Sequence, residues 1–402
     1  MINYKLKKGL DLLLDKGIVA VAKAFLRQWA LSGSRVNINL LDEFKFVLLP
    51  AHPAVLKYTG ISRLKINWFI LGVNIGSGGF FNIFRTIMYL EQMGHDCQVY
   101  VVGDGQSNES LLNRLVQKHL FPVKAKLTIL RGEMVACDAL VATCWKSAYY
   151  ARNQANTAQK FYFVQDIEDQ FYAQGSLAEF ARDTYRFGFV GLTAGSWIAD
   201  TLKSNYGMQC FPYGFSFDKS SYCNQKTVKC AKSPKVLFYA RPETERRGFE
   251  LGMLALSIVA KSHPHVEFVL VGMKEKNWVT PFKVTYPGVL AIDELPKLYQ
   301  ECALALVISF TNLSLLPLEI MACGCALVSN EGTNVRWLLN DDVATIVPSH
   351  PEAIASAIGS LLDNPDLLER KVRVGQEFAH ATDWQREVKK VEAAMLNILK
   401  NA

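Results

Sequence analysis

The chain is poor in histidine, with seven in 402 residues, and it holds no CxxC pair, no run of 18 apolar residues, no low-complexity tract and no GxGxxG turn. Each absence removes a class of protein. Nine cysteines are scattered without finger spacing, Cys323 and Cys325 standing too close for it, so free thiols in a reducing compartment are expected. Without a long apolar run there is no predicted membrane span, and no secretory pattern opens the sequence. A cytoplasmic location is expected. The missing GxGxxG, together with the lack of a well-spaced ribose acid, weighs against a dinucleotide-dependent oxidoreductase.

What is present fits a globular protein of two parts. Half of the residues are apolar, and 402 exceed what one hydrophobic core usually supports, so two domains near 200 residues each are the default. A net charge of +7 is modest and too diffuse to argue for nucleic acid; it favours an anionic substrate or an anionic lipid surface. The first segment, Tyr4–Leu31, interleaves lysines 5, 7, 8 and 16 with Leu10, Leu13, Leu14, Val19, Phe25 and Leu26. Its amphipathic pattern predicts one or two helices. Such a basic face either lies on an anionic membrane or packs on the first domain, and the pattern does not choose. From there to Arg63 no element is assigned.

A regular register starts at Leu64. LKINWFILG reads as a buried strand, Gly76-Ser77-Gly78-Gly79 as a turn, and Phe80, Ile83, Phe84, Ile87, Met88 and Leu90 as a helix that Gly94 stops. A glycine turn there lets backbone N–H groups approach an anion without a Cβ in the way, or it is a tight turn with no ligand. Strands follow at CQVYVVGD (97–104), CDALVAT (137–143), KFYFVQD (160–166) and GFVGLTA (188–194), with helices predicted at Trp145–Asn153, near Leu177–Tyr185 and at Ser196–Tyr206. This alternation predicts a parallel sheet covered on both faces, with ligands at the carboxyl ends of its strands. Gln165, Asp166, Glu168 and Asp169 lie at one such end. Glu168 and Asp169 read best as the acidic start of a solvated helix.

The pattern breaks between Phe211 and Lys235, and a second alternating unit opens at KVLFYAR (235–241). Arg241, Arg246 and Arg247 follow its first strand, and guanidinium forks match phosphate oxygens bidentately, so these residues form a candidate anion site. EFVLVGM (267–273) and VLAID (289–293) are expected to continue the sheet, with a short helix at Glu294–Glu301. Next comes LALVISFTNLSLLPLEIMACGCALVSN (304–330): strand, bend, helix and strand, with Pro317 in the first helical turn and Gly324 at the helix stop. The first N–H groups of that helix, near Leu315 and Leu316, suit a diphosphate, and Glu319 one turn in suits a sugar hydroxyl beside it. Dipole compensation is the plain alternative for Glu319.

Taken jointly, GSGG, FVQDIED, TYRFGF, LTAGSWIADTL, YARPETERRGFELG and SLLPLEIMACG resemble the family 4 retaining glycosyltransferases, and within them rhamnosyltransferases of bacterial surface-layer and O-antigen assembly. The resemblance runs from about Lys65 to the C-terminus. It implies the α/β fold known as GT-B: two Rossmann-like, doubly wound parallel-sheet domains facing across a cleft. The expected division is 1–63 as an N-terminal extension, 64–215 as the acceptor-side domain, 216–380 as the nucleotide-sugar domain, and 381–402 as a helix crossing back toward the first. Arg241 with Arg246 or Arg247 stands for the family's Arg and Lys-Gly pair, and Glu319 for the second acid of Glu-x7-Glu. Where the first acid belongs there is Thr311. Where relatives that transfer mannose, glucose or N-acetylglucosamine have a histidine near the donor's 6-hydroxyl, there is Gln165.

The implied function is sugar transfer from a nucleotide sugar, dTDP-rhamnose foremost, to a surface polysaccharide or lipid-linked glycan of the cell envelope. Arg241, Arg247 and Asp166 are the candidate catalytic residues. Gly78, Gly79, Gln165, Arg246, Leu315, Leu316 and Glu319 are the candidate donor-binding residues, and Phe163 or Tyr172 is expected to pack on the rhamnose methyl. No metal and no cofactor beyond the donor are expected. A nucleotide-sugar 2-epimerase would need cleft histidines, and only His95 lies near a first-domain motif. A non-catalytic nucleotide-binding scaffold is the other alternative, kept open by Thr311.

Overall fold

A computed structural model describes residues 40–60, 62–75, 77–103, 108–222, 234–273 and 279–401. The basic stretch Tyr4–Leu31, Gly76 and Asp104 lie outside the described residues. The chain divides into two compact units, Met1–Leu48 and Leu49–Ala402. In the first, a helix at Leu40–Phe44 continues into a 3-10 turn at Lys45–Leu48.

The second unit contains two all-parallel sheets. One comprises β1 (Lys65–Ile70), β2 (Asp96–Val101), β3 (Leu127–Ile129), β4 (Cys137–Ala142), β5 (Thr157–Val164), β6 (Val190–Ala194) and β7 (Cys210–Tyr213), in the order β3-β2-β1-β4-β5-β6-β7. The other comprises β8 (Lys235–Tyr239), β9 (Glu267–Val271), β10 (Val284–Gly288), β11 (Leu304–Val307), β12 (Ala326–Asn330) and β13 (Thr345–Val347), in the order β10-β9-β8-β11-β12-β13. Central strands such as β11, LALV, are buried along their whole length, because helices cover both faces of a parallel sheet. Strand order reverses between β1 and β4 and between β8 and β11. These are the two switch points at which open α/β sheets form a crevice.

The edges differ from the sequence expectation. The strand placed at 289–293 lies at Val284–Gly288, and Val289 and Ile292 are exposed. Pro287 sits inside that strand, which an edge position tolerates because no ladder N–H is needed on the outer side.

Segment 49–57 is strapped along the first sheet: His52 N–H donates to the Arg152 carbonyl at 3.0 Å and Leu56 N–H to the Thr157 carbonyl at 3.1 Å. The buried Lys160 ammonium donates to the carbonyls of His52 at 2.6 Å and Arg152 at 2.9 Å. At the other end of the chain, the helix Trp384–Asn401 buries Val388, Val391, Met395 and Leu399 and packs on β5, β7 and the helix Gly78–Gln92. Its Glu387 carboxylate accepts the Gly214 N–H at 2.6 Å.

Candidate functional site

The three arginines converge beyond the carboxyl end of β8, at the switch point of the second sheet. Arg241 follows the end of β8 by two residues, and a 3-10 turn at Glu245–Arg247 delivers Arg246 and Arg247. Gly248 ends that turn with φ +57°, and a Cβ there would stand 2.6 Å from Ile308, so only glycine lets the loop close on the end of β11. Arg247 donates to Ser309 Oγ at 2.7 Å and to the Asn312 carbonyl at 3.4 Å. Arg246 lies 4.0 Å over the Phe171 ring, with its buried Nε 3.9 Å from Asp166 Oδ2 and no hydrogen-bond partner. Arg241 lies 5.9 Å from the Tyr239 ring, and among the described residues it has no ion pair. Burial pushes the pKa of Arg246 and Arg247 below the usual guanidinium value, with Asp166 opposing it. Arg246 and Arg247 therefore share Asp166 as a neighbouring carboxylate, while Arg241 acts on both as a like charge.

That carboxylate comes from the other sheet. Asp166 follows β5 and is buried; Oδ1 accepts the N–H groups of Ile167 and Asn312, both at 2.9 Å, and Oδ2 accepts the Thr311 hydroxyl at 2.8 Å. Burial raises its pKa even so, the hydrogen bonds and Arg247 opposing. Both oxygens are thus engaged in a clasp between the two domains. The Thr311 position gains a reason from this geometry: an acid there would set two carboxylates in contact, which costs charge repulsion.

Asn312 completes the clasp and was not singled out by sequence reasoning. Its amide donates to the carbonyls of Gln165 at 3.0 Å and Ala194 at 2.9 Å, and its Oδ1 accepts the Trp337 indole N–H at 2.7 Å. The Trp337 ring lies flush on the first domain, since a Cβ at Gly195, φ +97°, would stand 2.6 Å from it. An asparagine in a loop after a strand reads as a turn residue; only long-range pairing shows its role.

Gln165 turns away from Asp166. Its Nε2 donates to the Gly79 carbonyl at 3.2 Å, and its Oε1 accepts from Asn82 at 3.0 Å. The β5 end is thereby tied to the start of the helix Gly78–Gln92. A Cβ at Gly78 would meet nothing within 4 Å, so the backbone there faces open space. Leu315 and Leu316 are buried at the start of the seven-residue helix Leu316–Ala322, and Gly324, φ +78°, follows it.

Glu319 is half-buried within that helix. Burial lifts its carboxyl to about 7, while Arg85 and a hydrogen bond from the Tyr222 hydroxyl pull it down and Asp218 pushes it up. Arg85, from the first domain's helix, is thus an electrostatic neighbour of Glu319. It is 6 % exposed, and the helical apolar pattern around it gave no sign of a facing carboxylate.

Burial overturns Phe163 as a contact of the sugar methyl, leaving half-exposed Tyr172, and it overturns the reading of Glu168 and Asp169. Phe163 is fully buried, stacked on Tyr213 with ring centroids 5.0 Å apart and edge-on to Trp68 at 5.6 Å, and Tyr172 accepts the Trp145 indole N–H at 3.0 Å. Phe163 therefore meets no sugar methyl, and the exposed rings beside Arg246 are Phe171 and Phe310. Glu168 and Asp169 do not begin a solvated helix: both are buried. Glu168 accepts the Trp145 N–H at 2.6 Å, and burial lifts its carboxyl to about 8; Asp169 pairs with Arg182 at 3.2 Å. Alternate polar residues after an apolar strand look solvated in sequence. Here they cap and brace the neighbouring strand-to-helix loop.

With this geometry in view, comparisons with known proteins place the fold. Residues 234–359 match the family model described as WsaF, C-terminal domain. The O-antigen biosynthesis protein RfbC of Myxococcus xanthus is 31 % identical over 268 residues, which is 65 % of this chain and 21 % of that protein. The chain thus spans about a fifth of the length of that curated relative. Among solved structures, TarM superimposes with a TM-score of 0.68 at 9 % identity, covering 85 % of this chain and all of that one. HepE of Anabaena, solved in complex with UDP-glucose, gives 0.62 at 15 % identity with the same coverage. The fold is GT-B, two parallel-sheet α/β domains.

Proposed function

We propose that this protein is a glycosyltransferase that moves a sugar from a nucleotide diphosphate to a growing surface glycan, with dTDP-rhamnose as the donor. The observation that carries this reading is the convergence of Arg241, Arg246 and Arg247 at the β8/β11 switch point, with Asp166 facing Arg246 and Arg247. Departure of a nucleotide diphosphate from an anomeric carbon builds negative charge on the β-phosphate. Fixed guanidinium groups in a partly desolvated site stabilise that charge without reorganising, which is the largest catalytic term such a site offers. The reading assigns charge stabilisation to these arginines, the ribose hydroxyls to Glu319, and the approach to the diphosphate to the Gly78–Gly79 backbone. No metal or further cofactor has a role in it.

O-antigen assembly as the setting is supported by the named role of the Myxococcus relative, and a nucleotide-sugar donor by the UDP-glucose complex of HepE. Retention of configuration follows in this reading from the departing phosphate taking the acceptor proton on the same face. No side chain is appointed as a covalent nucleophile; Asp166, engaged in the clasp, fixes the two domains and the Arg246 and Arg247 pair.

Gln165 supports the choice of a 6-deoxy sugar. Its amide is satisfied by Gly79 and Asn82, so it needs no sugar hydroxyl, whereas a hydrogen-bonding group left unpaired in a closed cleft costs roughly 1–3 kcal/mol. The expected result is at least about tenfold discrimination in kcat/KM for dTDP-rhamnose over dTDP-glucose, near 1.4 kcal/mol, narrowed by Gln165→His. Steady-state transfer assays with both donors, and with UDP- and GDP-hexoses, test it. Equal or faster transfer from any of those others overturns the donor assignment.

Glu319 gives a second test. Truncating a charged hydrogen-bond partner costs roughly 2–3 kcal/mol, so Glu319→Ala weakens nucleotide binding by about 30- to 150-fold by calorimetry. The side chain accepts from ribose more strongly, and through both oxygens, when ionised, so affinity for a nucleotide sugar rises with pH through about 7. The sign for stability is opposite. A folded-state pKa above the unfolded one makes the Glu319 contribution fall as pH climbs from the ordinary carboxyl range to about 7. Glu319→Gln should abolish both slopes; nucleotide affinity unchanged by the alanine variant removes Glu319 from the site.

A further inference from the structure

Arg85 is a buried charge that the donor site described above does not use. Its guanidinium lies over two aromatic rings, 5.0 Å from the centroid of Phe121 and 4.6 Å from that of Trp384. Along its edge the structure provides one long hydrogen bond, to Asn82 Oδ1 at 3.4 Å, and no ion pair among the described residues. The side chain is 6 % exposed, and burial pushes its pKa down. None of its nitrogens is among the fully buried atoms without a partner, so the donors not engaged by Asn82 reach open space. The group lines a cavity of ≈ 350 Å³, within the ~300–1,000 Å³ typical of small-molecule sites, whose wall also presents Tyr89, Asp218, Lys219, Asp383 and Trp384.

The lining selects the ligand class. Arg85 and Lys219 are balanced by Asp218 and Asp383, so the cavity has no net charge to hold a phosphate. Lys219 already donates to the His380 carbonyl at 3.2 Å. Hydroxyl groups, in contrast, accept from a guanidinium and donate to a carboxylate at once, and aromatic walls suit the C–H faces of a sugar ring. We propose that this cavity, formed by the helix Gly78–Gln92, segment 216–220 and the start of the helix Trp384–Asn401, is a saccharide subsite holding a sugar unit of the acceptor glycan. The proposal rests on the glycosyltransferase reading for the word acceptor only. Asp218 and Glu319 both act electrostatically on Arg85, which puts the subsite next to the donor's ribose contact.

Saturation-transfer NMR tests the assignment, with methyl α-rhamnoside, methyl α-mannoside and inorganic phosphate as probes and the whole chain saturated with dTDP to fill the donor site. The expected result is transfer to the ring protons of at least one glycoside in the presence of dTDP, with affinity lowered about tenfold or more in Arg85→Met and in Asp218→Asn. Asp218→Asn keeps the side-chain shape, so it remains informative if Arg85→Met fails to fold. Absence of glycoside binding, displacement of the glycoside by dTDP, binding unaffected in both variants, or binding of phosphate in its place overturns the subsite. Loss of dTDP binding itself counts against the donor site instead; glycoside binding is then read without nucleotide by the same criteria.

Discussion

Arg241→Ala lowers sugar transfer by about 10²- to 10³-fold while leaving thymidine binding at the wild-type level, because the group acts on charge that appears on the leaving diphosphate. Of the three arginines, Arg241 is the one with no side-chain hydrogen bond or ion pair among the described residues: Arg247 is tied to Ser309 and Asn312, and Arg246 is packed on Phe171 beside Asp166. Its removal leaves no buried partner unsatisfied, so the folded state loses little stability. Comparing kcat, the affinity for dTDP and the affinity for thymidine in the variant separates the roles. Equal loss of thymidine and dTDP binding would make Arg241 a structural residue.

Asn312→Ala has the largest expected effect on stability. The substitution strips partners from the carbonyls of Gln165 and Ala194 and from the Trp337 indole N–H, all at the junction of the two domains. Each unsatisfied buried group costs roughly 1–3 kcal/mol, and neighbouring losses do not add fully, so a destabilisation of about 3–5 kcal/mol is expected by urea unfolding. Transfer activity should fall as well, since the side chain fixes the loop whose Asn312 backbone N–H donates to Asp166 and whose carbonyl accepts from Arg247. A loss below about 1 kcal/mol would show that the clasp contributes little to holding the domains in register.

Legibility followed burial. Central strands such as LKINWFILG and LALVIS announce themselves as apolar runs because both of their faces are covered. β3, β7, β10 and β13 escaped, or were displaced in register, and all four are edge strands. Edges are short, half solvated and tolerant of proline, as Pro212 in β7 and Pro287 in β10 show. The arginine cluster and Glu319 were visible because a strand end followed by guanidinium groups, or a proline-started helix with an acid in its first turn, are local patterns. Asn312, Arg85 and the true use of Asp166 were not. Their partners lie 145 to 147 residues away for the Asp166, Thr311, Asn312 and Gln165 contacts, and no local pattern encodes such a pairing.

The most direct measurement is a thermal-unfolding series of the wild type and of Glu319→Ala with dTDP, dTDP-rhamnose, UDP and GDP. A ligand that binds only the folded state stabilises it by mass action, about 2.7 kcal/mol at a hundredfold excess over Kd. The expected result is the largest stabilisation by dTDP and dTDP-rhamnose in the wild type, lost in Glu319→Ala. Stabilisation by none of the four, or by dTDP equally in both proteins, would contradict a nucleotide-sugar site built on Glu319 and the three arginines.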